Sequence, residues 1–310
     1  HVAPSWPPMA HGFDEFAGIP YSNDMRPLRF YRSRGDGVLA DEEAVQERLT
    51  DQFFDAGIDF VRAADPRPFF LALTPSAPHI PLRPGASFAG KSAAGAYGDV
   101  VEELDAAVGR LIGALEQAGK LANTLILFTS DNGPWFEGSA GPHRGRKGGA
   151  GWDGGYLVPM IAHWPARLRP RATDAIAMNI DLLPTIAAIT GTPLPPSITI
   201  DGRDLAPVWQ RGAASPHDAL ILFNNERVAA LRAQRWKYVG RSYYRSHNVP
   251  LATLGYPLLF DVAVDPGESV NVAARYPDVA AVMAQRFAAA REAYEPLGTS
   301  QIPDTIPSAS

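Results

Sequence analysis

The 310-residue sequence contains no cysteine. This absence excludes disulfide bonds, thiolate metal sites and cysteine nucleophiles, and it is compatible with a periplasmic, a secreted or a cytoplasmic protein. No run of about 18 apolar residues occurs, so the sequence predicts no membrane-spanning helix. Residues 1–8 resemble neither a signal peptide nor a natural start, and we expect that an upstream segment precedes them.

Long blocks of like charge are also absent. The 28 Lys and Arg residues against 33 Asp and Glu residues give a net charge of −5. Such a balance does not suit a nucleic acid or an anionic membrane as a partner. We therefore expect a local positive site to bind a small anionic substrate, without help from the overall field of the protein.

Hydrophobic patterning predicts an α/β core at residues 1–200. A loop-dominated segment, 1–40, precedes a helix at 41–64, and a second helix begins at Tyr97 and ends at Gly119. Short apolar runs predict three buried strands, at 69–73, 124–129 and 156–161. Continuous apolar strands that alternate with helices are typical of a parallel sheet covered on both faces.

The pattern changes after a proline-rich boundary at 192–197, which follows a predicted helix at 181–191. Apolar alternation and an alanine-rich segment predict a small antiparallel sheet with one covering helix in a subdomain at 201–296. The predicted strands are 220–223, 228–231, 236–239 and 258–261, and the predicted helix is 279–294. A loose tail is expected at 297–310.

The first candidate site motif is Asp131-Asn132-Gly133, directly after the predicted strand at 124–129. In open α/β sheets, ligands bind just beyond the carboxyl ends of strands, so the carboxylate and the amide oxygen are placed for function. Both are hard oxygen ligands that favour Ca²⁺ or Mg²⁺ over zinc. Two ligands are too few for the roughly six to eight oxygens of Ca²⁺, and an ordinary turn is the alternative interpretation.

The second motif places a lysine among glycines, in Gly145-Arg146-Lys147-Gly148-Gly149. Small neighbours let an anion approach both the backbone and the ammonium group, and the alternative is a solvated loop lysine. The stretch 149–154 matches G-x-G-x-x-G by letter. No strand precedes it and a strand-like run follows, so it predicts no dinucleotide site.

Two histidines complete the candidate set. His79 lies between Pro78 and Pro81 in the loop after 69–73, and prolines on both sides restrict the orientation of the imidazole. His143, in Gly-Pro-His-Arg, is a second candidate of the same kind. A structural histidine is the alternative interpretation for both.

The order of these motifs resembles that of type I sulfatases, which belong to the alkaline-phosphatase-like superfamily. In that family a P-H-x-P histidine, a metal-binding D-N-G and a G-K-x-x-x-x-E-G-G lysine follow one another. Here the sequence has His79, Asp131-Asn132, Lys147 and Trp152-Asp-Gly-Gly155. Further similar stretches cover nearly the whole chain: 11–16, 18–24, 97–105, 158–165, 181–185 and 259–268.

The resemblance implies an alkaline-phosphatase-like α/β/α sandwich with a largely parallel central sheet, and a sulfuric ester hydrolase that acts on an aryl or sugar sulfate. By position, Asp131 and Asn132 would bind Ca²⁺ or Mg²⁺, and Lys147 would hold a sulfate oxygen. His79 would bind the sulfate or assist the leaving group, and we expect all four residues to share one pocket. Four more residues would contact the substrate: Asn23, Asp24, His143 and Arg144.

The sequence departs from the family pattern at the nucleophile. Sulfatases use a formylglycine made from the cysteine or serine of a C/S-x-P-x-R motif, and this sequence has neither a cysteine nor an S-x-P-x-R. The paired N-terminal aspartates and the K-W-H-L-G stretch of the family are absent too. Because these absences form one continuous block, we expect an inactive truncated chain whose formylglycine belongs to a missing N-terminal segment.

Two other functions stay open from the sequence. A phosphomonoesterase or phosphodiesterase of the same superfamily usually binds two metals through additional His and Asp ligands. A non-catalytic module could instead bind sulfated ligands through His79, Arg144 and Lys147.

Overall fold

The structure, a computed structural model, describes residues 7–33, 39–63, 65–149, 151–244 and 247–299. The chain divides into two compact units, His1–Thr124 and Leu125–Ser310. The boundary predicted near residue 200 separates a core from a C-terminal subdomain and stays a prediction. Part of the predicted tail, residues 300–310, lies outside the described residues.

The first unit contains an antiparallel sheet and two helices. Its elements are β1 (Phe16–Gly18), β2 (Arg29–Ser33), β3 (Ala40–Glu43), α1 (Leu49–Arg62) and α2 (Gly95–Gln117). The strand order is β1-β2-β3. Apolar residues of α1 recur at three- and four-residue spacings, and Phe53 and Phe54 are buried with Phe30 of β2 and Ala107 of α2. Helix α2 ends before Gly119, whose φ of +68° is left-handed, as the sequence predicts.

The second unit contains more strands than helices, and its longest sheet is antiparallel. Its first elements are β4 (Ile126–Thr129), α3 (Asp153–Tyr156), β5 (Met160–His163), α4 (Leu182–Thr190) and α5 (Ala206–Arg211). Six strands and a helix follow: β6 (Leu220–Asn224), β7 (Arg227–Ala233), β8 (Trp236–Val239), β9 (Ser242–Tyr244), β10 (His247–Val249), β11 (Leu258–Asp261) and α6 (Pro277–Tyr294). Strand β4 pairs with β5, β9 pairs with β10, and the four-stranded sheet has the order β11-β8-β7-β6.

The four-stranded sheet buries both of its faces. On one face, Tyr238 and Leu259 pack with Phe287 of α6. On the other face, Val239 and Phe260 are buried, and Trp152 packs against them from outside the sheet. The second face therefore supports the glycine-rich stretch that contains Trp152.

Several elements agree with the sequence predictions. Helix α2, the four strands of the C-terminal sheet and helix α6 lie where apolar periodicity places them. Helix α4 ends at Thr190, just before Gly191, whose φ is +69°. Among the residues that the structure describes, no helix has both the length and the apolar character needed to cross a bilayer.

Other predictions need correction. Residues 69–73 form no strand, and Phe70 is 62% exposed, because this apolar run has no ladder partner among the described residues. The predicted helix at 41–64 begins only at Leu49, and the segment predicted as loop contains β1 and β2. The strand predicted at 156–161 is β5, which begins four residues later and ends two residues later, because Tyr156 still ends α3. Strand β5 pairs antiparallel with β4, and no parallel ladder occurs in the described parts of the chain.

Asp99 of α2 fixes the loop before that helix. Its buried carboxylate accepts hydrogen bonds from the backbone N–H groups of Gly90, Lys91 and Ser92, at 2.8, 3.0 and 2.7 Å. These bonds, that of Ser92 foremost, lower the pKa of Asp99 from its ordinary value.

We predict that Asp99→Asn destabilises the protein at neutral pH and that the loss shrinks in acid. A carboxyl group whose pKa is lowered by folding contributes stability above its unfolded pKa, about 3.9, and loses it as the pH falls through the folded value. Denaturant unfolding from pH 7 to pH 3 measures the difference between wild type and variant. Asp105→Asn, at an exposed position of the same helix, is the control. A difference that stays constant over this range would contradict the prediction.

Candidate functional site

Three short segments of the second unit lie side by side and form the candidate site. They are residues 131–134, 144–149 and 151–155, and we call them the site segments. The N–H of Gly133 donates to the carbonyl of Gly155 at 2.9 Å, and that of Lys147 donates to Pro134 at 3.0 Å. The N–H of Gly154 donates to Arg144 at 2.7 Å. Backbone bonds thus join the segments that carry Asp131-Asn132 and Lys147, and the pocket expected for their side chains stays a prediction.

Glycines permit this close approach. A Cβ on Gly133 would lie 2.0 Å from the carbonyl oxygen of Gly154, and one on Gly154 would lie 2.4 Å from that of Gly145. Gly145 also has a φ of +83°. Any side chain at these positions would push the segments apart.

Asp131 and Asn132 follow β4 after one intervening residue, Ser130, and interact with each other. The backbone N–H of Asn132 donates to Asp131 Oδ1 at 2.9 Å, and its side-chain amide donates to Oδ2. Asp131 is exposed and Asn132 is half-buried. Among the described residues the amide oxygen of Asn132 accepts no hydrogen bond, so it and the exposed carboxylate of Asp131 are available to a ligand.

These two side chains are the right type of ligand for a hard divalent cation, but they supply too few ligand atoms. Ca²⁺ and Mg²⁺ prefer oxygen ligands, which the carboxylate and the amide supply. Together they offer two carboxylate oxygens and one amide oxygen, against the roughly six to eight that Ca²⁺ takes. No group of three or more His, Asp or Glu residues suited to a metal occurs in the described part of the chain.

Lys147 is a half-buried cation of the site. Within the described ranges its ammonium group has no hydrogen-bond or ion-pair partner, whereas its neighbour Arg146 donates to the carbonyls of Trp135 and Gly138 at 3.0 and 2.8 Å. The ammonium group of Lys147 is therefore available for an anion.

Arg144 and His143 have other surroundings. The guanidinium of Arg144 lies 3.8 Å from the ring centre of Trp152 and donates to the carbonyl of Glu268 at 3.0 Å. His143 Nδ1 is buried without a hydrogen-bond partner among the described residues. Arg144 therefore has a structural role here, and its predicted contact with substrate stays a prediction.

The remaining predicted residues lie in the first unit. His79 is exposed, and its Nδ1 lies 2.7 Å from the carbonyl of Ile80. A carbonyl only accepts, so Nδ1 carries the proton and Nε2 is the nitrogen open to a ligand. Asn23 is buried, its carbonyl accepts from Arg26 at 3.1 Å, and Asp24 is exposed. Their predicted contacts with substrate stay predictions.

The sequence prediction missed a buried ionic cluster behind the site segments. Lys237 of β8 and Glu268 are fully buried, and Asp153 is 7% exposed. The ammonium of Lys237 pairs with Asp153 Oδ1 and lies 3.4 Å from Glu268 Oε1. Arg232 of β7, opposite Lys237 in the sheet, lies 3.3 Å from Asp153 Oδ2. The charges of two positive and two negative side chains thus balance one another. We call Arg232, Lys237, Asp153 and Glu268 the ionic cluster.

Burial raises the pKa of Glu268, and Lys237 opposes this effect. Glu268 Oε1 lies within ion-pair distance of Lys237 without hydrogen-bond geometry, while Oε2 accepts from the backbone N–H of Asp153 at 2.8 Å. A signal in the sequence could have revealed this cluster. Lys237 is a charged residue inside a short apolar strand, and such a residue is buried only when it is paired.

The family model "Sulfatase" matches residues 2–192. Bovine arylsulfatase A (Bos taurus) is 33% identical over 309 residues, which cover 86% of this chain and 60% of the relative. Mouse steryl-sulfatase (Mus musculus) is 35% identical over 268 residues, which cover 74% of this chain and 43% of the relative. The chain thus spans about half of the length of these relatives.

The fold has close counterparts among solved structures. One is a 6S-sulf protein described with glycosaminoglycan metabolism by Bacteroides thetaiotaomicron. It aligns with a TM-score of 0.80 at 22% identity, over 94% of this chain and 75% of that one. At this identity the likeness establishes the fold alone, and it confirms the predicted alkaline-phosphatase-like α/β class.

We predict that Gly133→Ala destabilises the second unit by about 1–3 kcal/mol, because the added methyl group would overlap a main-chain carbonyl. Five of the six tryptophans lie in this unit, so tryptophan fluorescence during denaturant unfolding measures the effect. Gly113→Ala is the control, since open space surrounds that helical glycine. It should stabilise α2 by about 0.5–1 kcal/mol, seen by circular dichroism. An unchanged unfolding midpoint for Gly133→Ala would refute the close packing of the site segments.

Proposed function

The chain belongs to the sulfatase family, and from this membership we propose that the protein is a sulfuric ester hydrolase that cleaves sulfate monoesters. One observation carries the proposal for the site itself. Backbone bonds join the segment of Lys147, whose ammonium has no partner among the described residues, to the segment of Asp131 and Asn132.

Lys147 would bind a sulfate oxygen and stabilise the charge that develops on it. A fixed cation in a half-buried site needs no rearrangement during the reaction, and this preorganisation is the main source of such stabilisation. The glycines beside Lys147 leave space for the anion. The hydrogen bond from its backbone to Pro134 holds the start of the side chain in place.

His79 would bind the sulfate or assist the leaving group. The Nδ1–H group donates its hydrogen bond to the carbonyl of Ile80. Nε2 is therefore the atom that would exchange a proton with a ligand. The support for this role is the family resemblance of the P-H-x-P motif.

Asp131 and Asn132 would hold Ca²⁺ or Mg²⁺, with further oxygen ligands from outside the described residues. When bound, the cation would neutralise negative charge on the sulfate group. The nucleophile would be a formylglycine, which has to come from outside these 310 residues because they contain no cysteine and no S-x-P-x-R.

The substrate would be a small aryl or sugar sulfate. Arylsulfatase A and steryl-sulfatase are among the relatives, and the glycosaminoglycan-associated 6S-sulf protein shares the fold. These names support a sulfate ester as substrate. They do not distinguish an aryl sulfate from a sugar sulfate.

We predict that Lys147→Ala weakens the binding of inorganic sulfate to the chain, measured by isothermal titration calorimetry. In a form that carries the formylglycine, the same change should lower turnover of an aryl sulfate by about a hundredfold or more. Arg169→Ala removes an exposed positive charge in the same unit and is the matched control. Equal sulfate affinity and kinetics in wild type and Lys147→Ala would show that Lys147 is a solvated loop residue.

We also predict that the 310-residue chain binds Ca²⁺ and Mg²⁺ only weakly and does not hydrolyse a chromogenic aryl sulfate. It contains no residue that can become formylglycine, and Asp131 with Asn132 supplies too few oxygens. The assay compares this chain with one extended upstream, with each cation and with an aryl phosphate as second substrate. Turnover of the aryl sulfate near the rate of the extended form would rule out a formylglycine nucleophile. Preference for the phosphate would favour a phosphatase.

A further inference from the structure

Glu268 adopts a backbone conformation that is uncommon for its residue type. Its φ is +48°, in the left-handed region that glycine favours, although the side chain is fully buried. Asp265 holds the turn from both sides. Its carbonyl accepts from Glu268 N–H at 3.1 Å, and its carboxylate accepts from Ser269 N–H at 2.8 Å. Such strain persists only where the surrounding structure fixes it, and it is frequent at functional sites.

The atoms of Glu268 are used by two site segments. Its carbonyl oxygen accepts from Arg144 at 3.0 Å, and its Oε2 accepts from the backbone N–H of Asp153 at 2.8 Å. Arg144 and Asp153 lie on either side of Lys147 in the sequence. The carbonyl of Arg144 also accepts from Gly154, so Glu268 closes a ring of contacts around these segments.

Lys237 anchors this ring to the four-stranded sheet. It lies opposite Arg232 of β7 and Phe260 of β11, in the middle of the sheet. Its ammonium contacts both Asp153 and Glu268. A buried charge with two partners has little freedom to move, because each displacement would leave a charge unpaired.

We propose that Glu268 is a positioning residue for sulfate binding: its carboxylate and its left-handed backbone hold residues 144–149 and 151–155 in the geometry that presents Lys147 to the anion. This inference rests on the proposed function, in which Lys147 binds sulfate. Glu268 acts through Arg144 and Asp153 and is buried behind them, so it is not itself a catalytic residue.

Three substitutions of Glu268 separate its contributions. Glu268→Ala removes the carboxylate. Glu268→Gln keeps an oxygen that can accept from Asp153, and Glu268→Gly removes the side chain while it relieves the left-handed backbone. Phe287→Leu is the control for general stability, because Phe287 packs on the opposite face of the same sheet.

Two quantities are measured on the 310-residue chain. Calorimetry gives the dissociation constant for inorganic sulfate. Amide hydrogen exchange by NMR gives the protection of Gly133, Lys147 and Gly154, whose N–H groups join the site segments, and of Val239 in the sheet. A purely structural role would reduce protection everywhere alike, whereas a positioning role reduces it first in the site segments.

We expect Glu268→Ala and Glu268→Gly to weaken sulfate binding by about tenfold or more, since displacements near 1 Å have effects of this size or larger. Both should reduce protection of Lys147 and Gly154 more than that of Val239. Glu268→Gln should restore much of the affinity, and Phe287→Leu should leave it unchanged. Wild-type sulfate affinity in Glu268→Ala, with an even loss of protection as in Phe287→Leu, would overturn the proposal.

Failure of the proposed function gives a different result. In that case wild type and Lys147→Ala bind sulfate equally poorly. The exchange data still decide whether Glu268 positions the site segments: selective loss of protection at Lys147 and Gly154 supports it, and uniform loss refutes it.

Discussion

The second unit depends on the pairing of the buried Lys237 ammonium with carboxylates. A charge that is fully removed from water is stable only when opposite charges lie close to it, and Asp153 and Glu268 fill this need. Asp153 belongs to the glycine-rich stretch, Lys237 to the sheet and Glu268 to the turn after β11. The condition that this charge be paired therefore joins three distant parts of the chain, and the site segments inherit the rigidity of the sheet.

The sequence predicts those helices and strands in which a local apolar repeat marks the buried face. Helix α2 and the strands β6, β7, β8 and β11 each show an apolar repeat, and the structure has them at the predicted places. Residues 69–73 show why other predictions were wrong. An apolar run becomes a strand only when another strand pairs with it, and a single run contains no information about its partner.

The same distinction applies to the candidate site. Asp131, Asn132 and Lys147 were predicted because each lies in a short local motif, and backbone bonds bring these motifs together. The ionic cluster was missed because its members are far apart in sequence: Lys237 is 84 residues from Asp153, and Glu268 is 115 residues from it. Local spacing cannot reveal such contacts, and the family resemblance gives the order of motifs without their partners. The only local sign was a lysine within an apolar strand.

The hydrogen bond between Lys147 and Pro134 also closes a loop, residues 135–146, at its base. Arg146 donates hydrogen bonds to the carbonyls of Trp135 and Gly138 and so holds the first part of this loop in place. The tip of the loop, residues 139–142, lies beyond these hydrogen bonds. A loop that is closed in this way can change in length or composition at its tip while the backbone below keeps its path. Loop exchange between relatives would be most tolerable there, and it offers a route to altered ligand preference that leaves the anion-binding lysine where it is.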